Sequence, residues 1–125
     1  MNNIANFRRR GSTKEGSGHW MAQRVTAIAL VVLVFWFLLV VAKISISPLQ
    51  TVVELLRSPF NLSMLCLLVG TSLYHGTLGM RVVIEDYIHC EKAKFILLIL
   101  IKFVSIISFL VCLTSIITFY FSAFI

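Results

Sequence analysis

The sequence predicts an all-α membrane protein of three transmembrane helices, with the N-terminus cytoplasmic and the C-terminus periplasmic. Three observations carry that prediction. Of 125 residues, 59% are hydrophobic and only 13% are charged, against about 25% charged in a soluble domain. The apolar residues gather into three runs, each long enough to cross a hydrocarbon layer that needs about 20 helical residues. The basic residues, which give a formal net charge of +6, collect at the ends of these runs and not across a folded surface. That placement argues for an oriented membrane protein and against nucleic acid as a partner. Three spans use about half of the chain, so a substrate-sized catalytic domain is not expected.

Residues 1–18 form the first region, expected to be a flexible basic cytoplasmic arm. It holds Arg8, Arg9, Arg10 and Lys14, and the glycines Gly11, Gly16 and Gly18. It does not read as a secretory signal, because the apolar run that follows is too long and lacks a small-residue cleavage site. Its shortness argues against a cleaved transit peptide. Residues 19–125 form the second region, a three-helix membrane anchor with spans expected at about 25–46, 59–84 and 95–120. The first span is apolar from Val25 to Ala42 apart from Thr26, and Lys43 snorkels to the far surface. Its β-branched residues do not argue against a helix, because in lipid only helices and closed barrels satisfy the backbone.

Ser47-Pro48-Leu49-Gln50 has the pattern of a capping box with proline at the first helical position. It predicts a short interfacial helix through about Leu56, with Glu54 and Arg57 facing water. Ser58-Pro59 repeats the cap-plus-proline signal and opens the second span. Glu85 to Lys94 make a polar turn, and the third span follows from about Phe95 to Tyr120. Lys102, two turns into it, is expected to snorkel back toward Lys92 and Lys94. Cys66, Cys90 and Cys112 show no metal-ligand or disulfide spacing and read as small hydrophobic residues.

Counting Lys and Arg by side sets the orientation. Arg8, Arg9, Arg10, Lys14, Arg24, Arg81, Lys92 and Lys94 fall on one side, and Lys43 and Arg57 on the other. Eight against two places the N-terminus in the cytoplasm.

Polar side chains inside a span are costly and read as functional candidates. His75 lies about 16 residues into the second span, ~24 Å along the axis from Pro59 at 1.5 Å per residue. Ser72, Gly76 and Gly79 form a small-residue stripe around it, which permits close helix packing or a flat ring lying on the backbone. At 100° per residue, His75, Gly79, Val82 and Asp86 share one face. Two readings stand for His75: a neutral imidazole bonded to a neighbouring helix, or an axial ligand to a haem iron. His19 and His89 map to the cytoplasmic edge, too far to share that iron, so a partner chain would complete a haem site. Arg24 lies close to the apolar run and needs an anion, for which lipid headgroups, haem propionates and Asp86 all qualify; Trp20 reads as an interface anchor. Asp86-Tyr87 stand at the mouth of the second span, where a carboxylate and a phenol can hydrogen-bond and protonate a quinone carbonyl.

His19-Trp20 with Gln23-Arg24-Val25-Thr26-Ala27, followed by His75-Gly76, Gly79-Met80 and Asp86-Tyr87, resembles the hydrophobic membrane-anchor D subunit of succinate dehydrogenase (the small subunit of its cytochrome b). The likeness in helix order and motif spacing covers roughly Gly16–Leu100. The arginine motif is weak alone, and His-x-x-x-Gly-Met followed after five residues by Asp-Tyr is fairly specific. The resemblance implies a non-catalytic subunit of respiratory complex II, in the tricarboxylic acid cycle and electron transport. It implies a b-type haem shared with the large anchor (C) subunit, with His75 as one axial ligand to the iron. Tyr87 takes the family's ubiquinone-binding position with Asp86 beside it, and Arg24 and, more weakly, His19 lie near the haem propionates. The partners implied are the C subunit, the iron–sulphur subunit and the flavoprotein subunit, besides membrane lipid. The location implied is the bacterial inner membrane, with the mitochondrial inner membrane as the alternative. Some related fumarate reductase anchors lack haem, and His75 argues for the haem-bearing type. A rival reading is a small proton- or ion-conducting transport subunit with His75 and Asp86 on the path, and another is a purely structural assembly protein.

Overall fold

A computed structural model describes residues 2–122 and 125. Four helices follow one another: α1 (Asn2–Ser45), α2 (Leu49–Arg57), α3 (Pro59–Tyr87) and α4 (Glu91–Ser122). Three stretches are long and apolar enough to cross a membrane: within Gly16–Ser45, Pro59–Tyr87 and Glu91–Ser122, an 18-residue window reaches a mean hydropathy of 3.0, 1.3 and 2.9 respectively. α3 is therefore the polar span of the three, as expected if it carries the chemistry.

α1 begins well before the apolar run. The backbone of residues 2–18 is helical and continuous with the span. Glycine costs a helix about 1 kcal/mol relative to alanine, and no proline precedes Pro48, so nothing there forbids helical backbone. α1 ends where Pro48 approaches, since the residue before a proline is pushed out of the α region. The last turn is closed by Ser47 N–H to the Ile44 carbonyl at 3.2 Å and by the Ser45 hydroxyl to the Val41 carbonyl at 2.8 Å.

The short helix expected after Pro48 is present as α2, with Glu54 and Arg57 exposed. Its capping box is absent. Pro48 is itself the cap, extended at φ −64° and ψ 157°, with no side-chain cap bond. The helix thus starts one residue later than the pattern suggests, and Ser47 falls outside the capping position. α3 opens with Pro59 in its first turn, again without a side-chain cap from Ser58. The Asn61 amide instead donates to the Leu55 carbonyl at 2.8 Å, which ties the start of α3 to the end of α2.

α3 runs to Tyr87, three residues past the expected end, and α4 starts at Glu91, four residues before the expected start. The polar turn shrinks accordingly. Ile88 N–H closes α3 on the Ile84 carbonyl at 3.0 Å, and Lys94 N–H bonds the Cys90 carbonyl at 2.9 Å. Glu91 in the first turn of α4 complements the positive end of that helix.

α3 is the centre of the molecule and packs against α1 on one side and α4 on the other. Among the described residues the buried hydrophobic side chains are few: Leu33 from α1, and Leu78 and Ile84 from α3. Most large apolar residues point outward, among them Val31, Phe35, Phe60 and Phe103. Such a surface is incompatible with water and suited to lipid or to other membrane helices. Between apolar helices in lipid, packing comes from close van der Waals fit, and Gly70 supplies it: a Cβ there would lie 3.3 Å from the Phe109 ring. Lys102 is exposed and borders a cleft of about 430 Å³ between α3 and α4. Cys66, Cys90 and Cys112 are free.

Candidate functional site

The sequence places His75, Gly79, Val82 and Asp86 on one face of α3, and the fold brings His75 and Gly79 of that face against α1, while Asp86 stays exposed. His75 is half-buried, and its Nδ1 lies 2.8 Å from the hydroxyl of Thr26 on α1. The same hydroxyl oxygen is 2.7 Å from the Ala22 carbonyl and 3.1 Å from the Gln23 carbonyl. No described residue engages the second ring nitrogen, Nε2, and no group of three or more metal-ligating side chains occurs among the described residues.

The small-residue stripe faces the gap between the helices flanking α3. Ser72 and Gly76 are exposed and border a cleft of about 350 Å³ with α4, and a Cβ on Gly76 would have nothing within 4 Å. Gly79, on the other flank, meets α1, where a Cβ would stand 3.6 Å from the Gln23 amide nitrogen. The stripe thus offers bare backbone beside His75, open on the Gly76 side and closed by Gln23 on the Gly79 side.

One turn and more toward the Tyr87 end, a polar cluster joins α1 and α3. Arg81 donates from Nε to Glu85 Oε1 at 2.8 Å, an i, i+4 ion pair, and from Nη1 to His19 Nε2 at 3.2 Å. His19, Trp20, Gln23, Leu78, Arg81 and Val82 line a cavity of about 320 Å³. Gln23 Oε1, buried at its edge, has no hydrogen-bond partner. Six residues separate His75 from Arg81, ~9 Å along the axis, so His19 belongs to the edge cluster and not to the His75 position.

Arg24 does not meet Asp86. Its guanidinium lies 4.3 Å over the Trp20 ring, a cation–π contact at an exposed site. The cation that the fold brings to His19 is Arg81, which sequence reasoning had used only in the charge count. The available signal was the Arg81/Glu85 spacing, four apart on one helix face. Thr26 was visible as the polar residue in an apolar run, yet nothing in its position named His75 as its partner. Asp86 and Tyr87 stand exposed at the last residues of α3, with Tyr87 79% exposed. His89 Nδ1 donates to the Tyr87 carbonyl at 3.2 Å. Among the described residues nothing covers the two side chains.

Comparison with known proteins decides the family. Residues 2–112 match the profile of the succinate dehydrogenase/fumarate reductase transmembrane subunits. The chain belongs to that family. Among similar proteins, the succinate dehydrogenase hydrophobic membrane anchor subunit of Rickettsia bellii is 44% identical over 105 residues, covering 84% of each chain. That of Rickettsia prowazekii is 39% identical over 104 residues, covering 81% of this chain and 83% of its own. The succinate dehydrogenase membrane anchor subunit of Reclinomonas americana is 35% identical over 97 residues, covering 75% of this chain and 81% of its own. No solved structure matches the chain significantly. Family membership accounts for the sparse internal core, because a transmembrane subunit leaves its apolar faces for lipid and neighbouring chains.

Proposed function

We propose that this chain is the hydrophobic membrane anchor of a bacterial succinate dehydrogenase, multi-pass in the inner membrane with its N-terminus in the cytoplasm. The observation that carries the site reading is His75: a mid-span imidazole held through Nδ1 by Thr26, with Nε2 engaged by no described residue, beside the bare backbone of Gly76. These features fit a haem, which needs an imidazole nitrogen at the iron and a flat surface for the ring. His75 would hold the haem iron from this chain, and the C anchor subunit would supply a further ligand. A bound b-type haem carries single electrons. This chain holds the imidazole, lends the Gly76 face, and excludes water with the apolar residues around them.

Asp86 and Tyr87 form this chain's part of the ubiquinone site. The Tyr87 phenol donates a hydrogen bond to a quinone carbonyl and the Asp86 carboxylate is placed to take part in proton delivery. His19 and Arg24 lie at the edge where haem propionates would emerge, and Arg81 adds a second cation there, beside His19. The edge that carries Asp86 and Tyr87 also carries most of the lysines and arginines, which supports docking of the iron–sulphur and flavoprotein subunits on the cytoplasmic side. Oxidation of succinate belongs to those chains, and the anchor itself catalyses no reaction on it.

The test is optical. The complex purified with its partner subunits is expected to show a b-type band in a reduced-minus-oxidised spectrum, and His75→Ala is expected to abolish or shift it. A b-type band unaltered by His75→Ala would remove the ligand role.

A further inference from the structure

The hydrogen atoms around Thr26 can be counted from the chemistry of its neighbours. Its hydroxyl has one proton and two lone pairs, and its oxygen makes three short contacts, to the Ala22 carbonyl at 2.7 Å, the Gln23 carbonyl at 3.1 Å and His75 Nδ1 at 2.8 Å. Carbonyl oxygens only accept. A threonine inside a helix commonly sends its proton back to the carbonyl four residues earlier, and the 2.7 Å contact to Ala22 requires a proton between two oxygens that would otherwise repel. The hydroxyl proton is thereby used. Toward His75 the hydroxyl presents a lone pair, so the ring must be the donor there. His75 therefore carries its proton on Nδ1, and its lone pair sits on Nε2.

We infer that Thr26 is a positioning residue that fixes His75 as the Nδ1–H tautomer and holds its ring plane, so that Nε2 is presented as the metal-binding nitrogen. This rests on the reading of His75 as a haem ligand. A hydrogen bond from the far nitrogen of a ligating histidine fixes the tautomer, orients the ring and raises the basicity of the ligand. In a span that otherwise runs apolar from Val25 to Ala42, this gives Thr26 a task that its neighbours cannot perform. The same contact also ties α1 to α3, so the experiment has to separate positioning from simple helix packing.

The experiment uses the purified complex with all its subunits, carrying Thr26→Val, Thr26→Ser or His75→Ala. Valine keeps the shape of threonine and removes the acceptor. Thr26→Val is expected to weaken haem retention about 10- to 100-fold, the usual effect of losing an outer-shell partner. The haem that remains should show an altered low-spin electron paramagnetic resonance signal. Its midpoint potential should be more positive, because a less basic imidazole stabilises the ferric iron less. Thr26→Ser should restore all three. A packing role alone would lower thermal stability without moving the potential or the resonance signal of bound haem, and that outcome overturns the inference. If Thr26→Val binds no haem, recovery by serine supports the inference and failure to recover overturns it. His75→Ala is the separate control: retention of an unchanged haem spectrum there would sink the ligand reading itself, whatever Thr26 does.

Discussion

Gly76 offers a test in which the isolated chain and the assembled protein should respond in opposite directions. A Cβ built on Gly76 meets nothing within 4 Å, so Gly76→Ala introduces no clash inside the chain. Replacing glycine by alanine within a helix is favourable by about 1 kcal/mol from backbone entropy alone. The isolated chain in detergent should therefore be as helical as the wild type, and as stable or slightly more so. In the complex, the added methyl stands on the face proposed to lie against a flat ring. Overpacking a fitted interface by a methyl costs about 1–3 kcal/mol, and since 1.4 kcal/mol is a factor of ten, haem affinity should fall roughly 5- to 150-fold. The assay is the haem-to-protein ratio of the purified complex, set beside circular dichroism and thermal unfolding of the chain alone. A full haem complement in Gly76→Ala, or further in Gly76→Leu, would refute the placement of the ring against this part of α3.

Three further outcomes are expected. Tyr87→Phe removes the phenol and leaves the ring, so succinate–quinone reductase activity should fall about tenfold to a hundredfold, the loss of one hydrogen bond worth ~1.5–3 kcal/mol. Electron transfer from succinate to an artificial soluble acceptor should persist, and equal loss of both would point to failed assembly. Gly70→Leu forces a side chain into the Phe109 ring, which lies 3.3 Å from the position of a Cβ. It should destabilise the packing of α3 on α4 by about 1–3 kcal/mol, seen as a lower thermal midpoint that Phe109→Ala partly restores. Cys90 is exposed in the short turn between α3 and α4, so a membrane-impermeant maleimide should label it in inverted vesicles and not in intact spheroplasts; the reverse pattern would invert the proposed orientation.

Much of this architecture was legible in the residues because lipid narrows the choices. A run of about 20 apolar residues has no stable alternative to a helix in the hydrocarbon layer, so three spans and the short α2 could be read directly. Their ends could not. The first helix begins at Asn2 and α4 at Glu91, since polar and glycine residues tolerate helical backbone wherever no proline intervenes. Caps were misread for a related reason: Ser47 carries the right side chain, but the extended Pro48 moves the helix start out of its reach.

The sequence by itself determined that His75 is a costly polar group in mid-span, that it shares a face with Gly79, Val82 and Asp86, and that Asp86-Tyr87 lie at the span's mouth. Helical periodicity decides all of that, because each relation lies within one helix. Partners on other helices were decided only by the tertiary structure. The 49-residue separation of Thr26 from His75 and the 62-residue separation of His19 from Arg81 depend on how far α1 slides along α3, which no spacing encodes. Arg24, by contrast, stacks on Trp20, four residues back on its own helix. The register between helices is set by side-chain fit, here around Leu33, Leu78 and Ile84, and that register turns a lone histidine into a ring with one nitrogen held and the other offered.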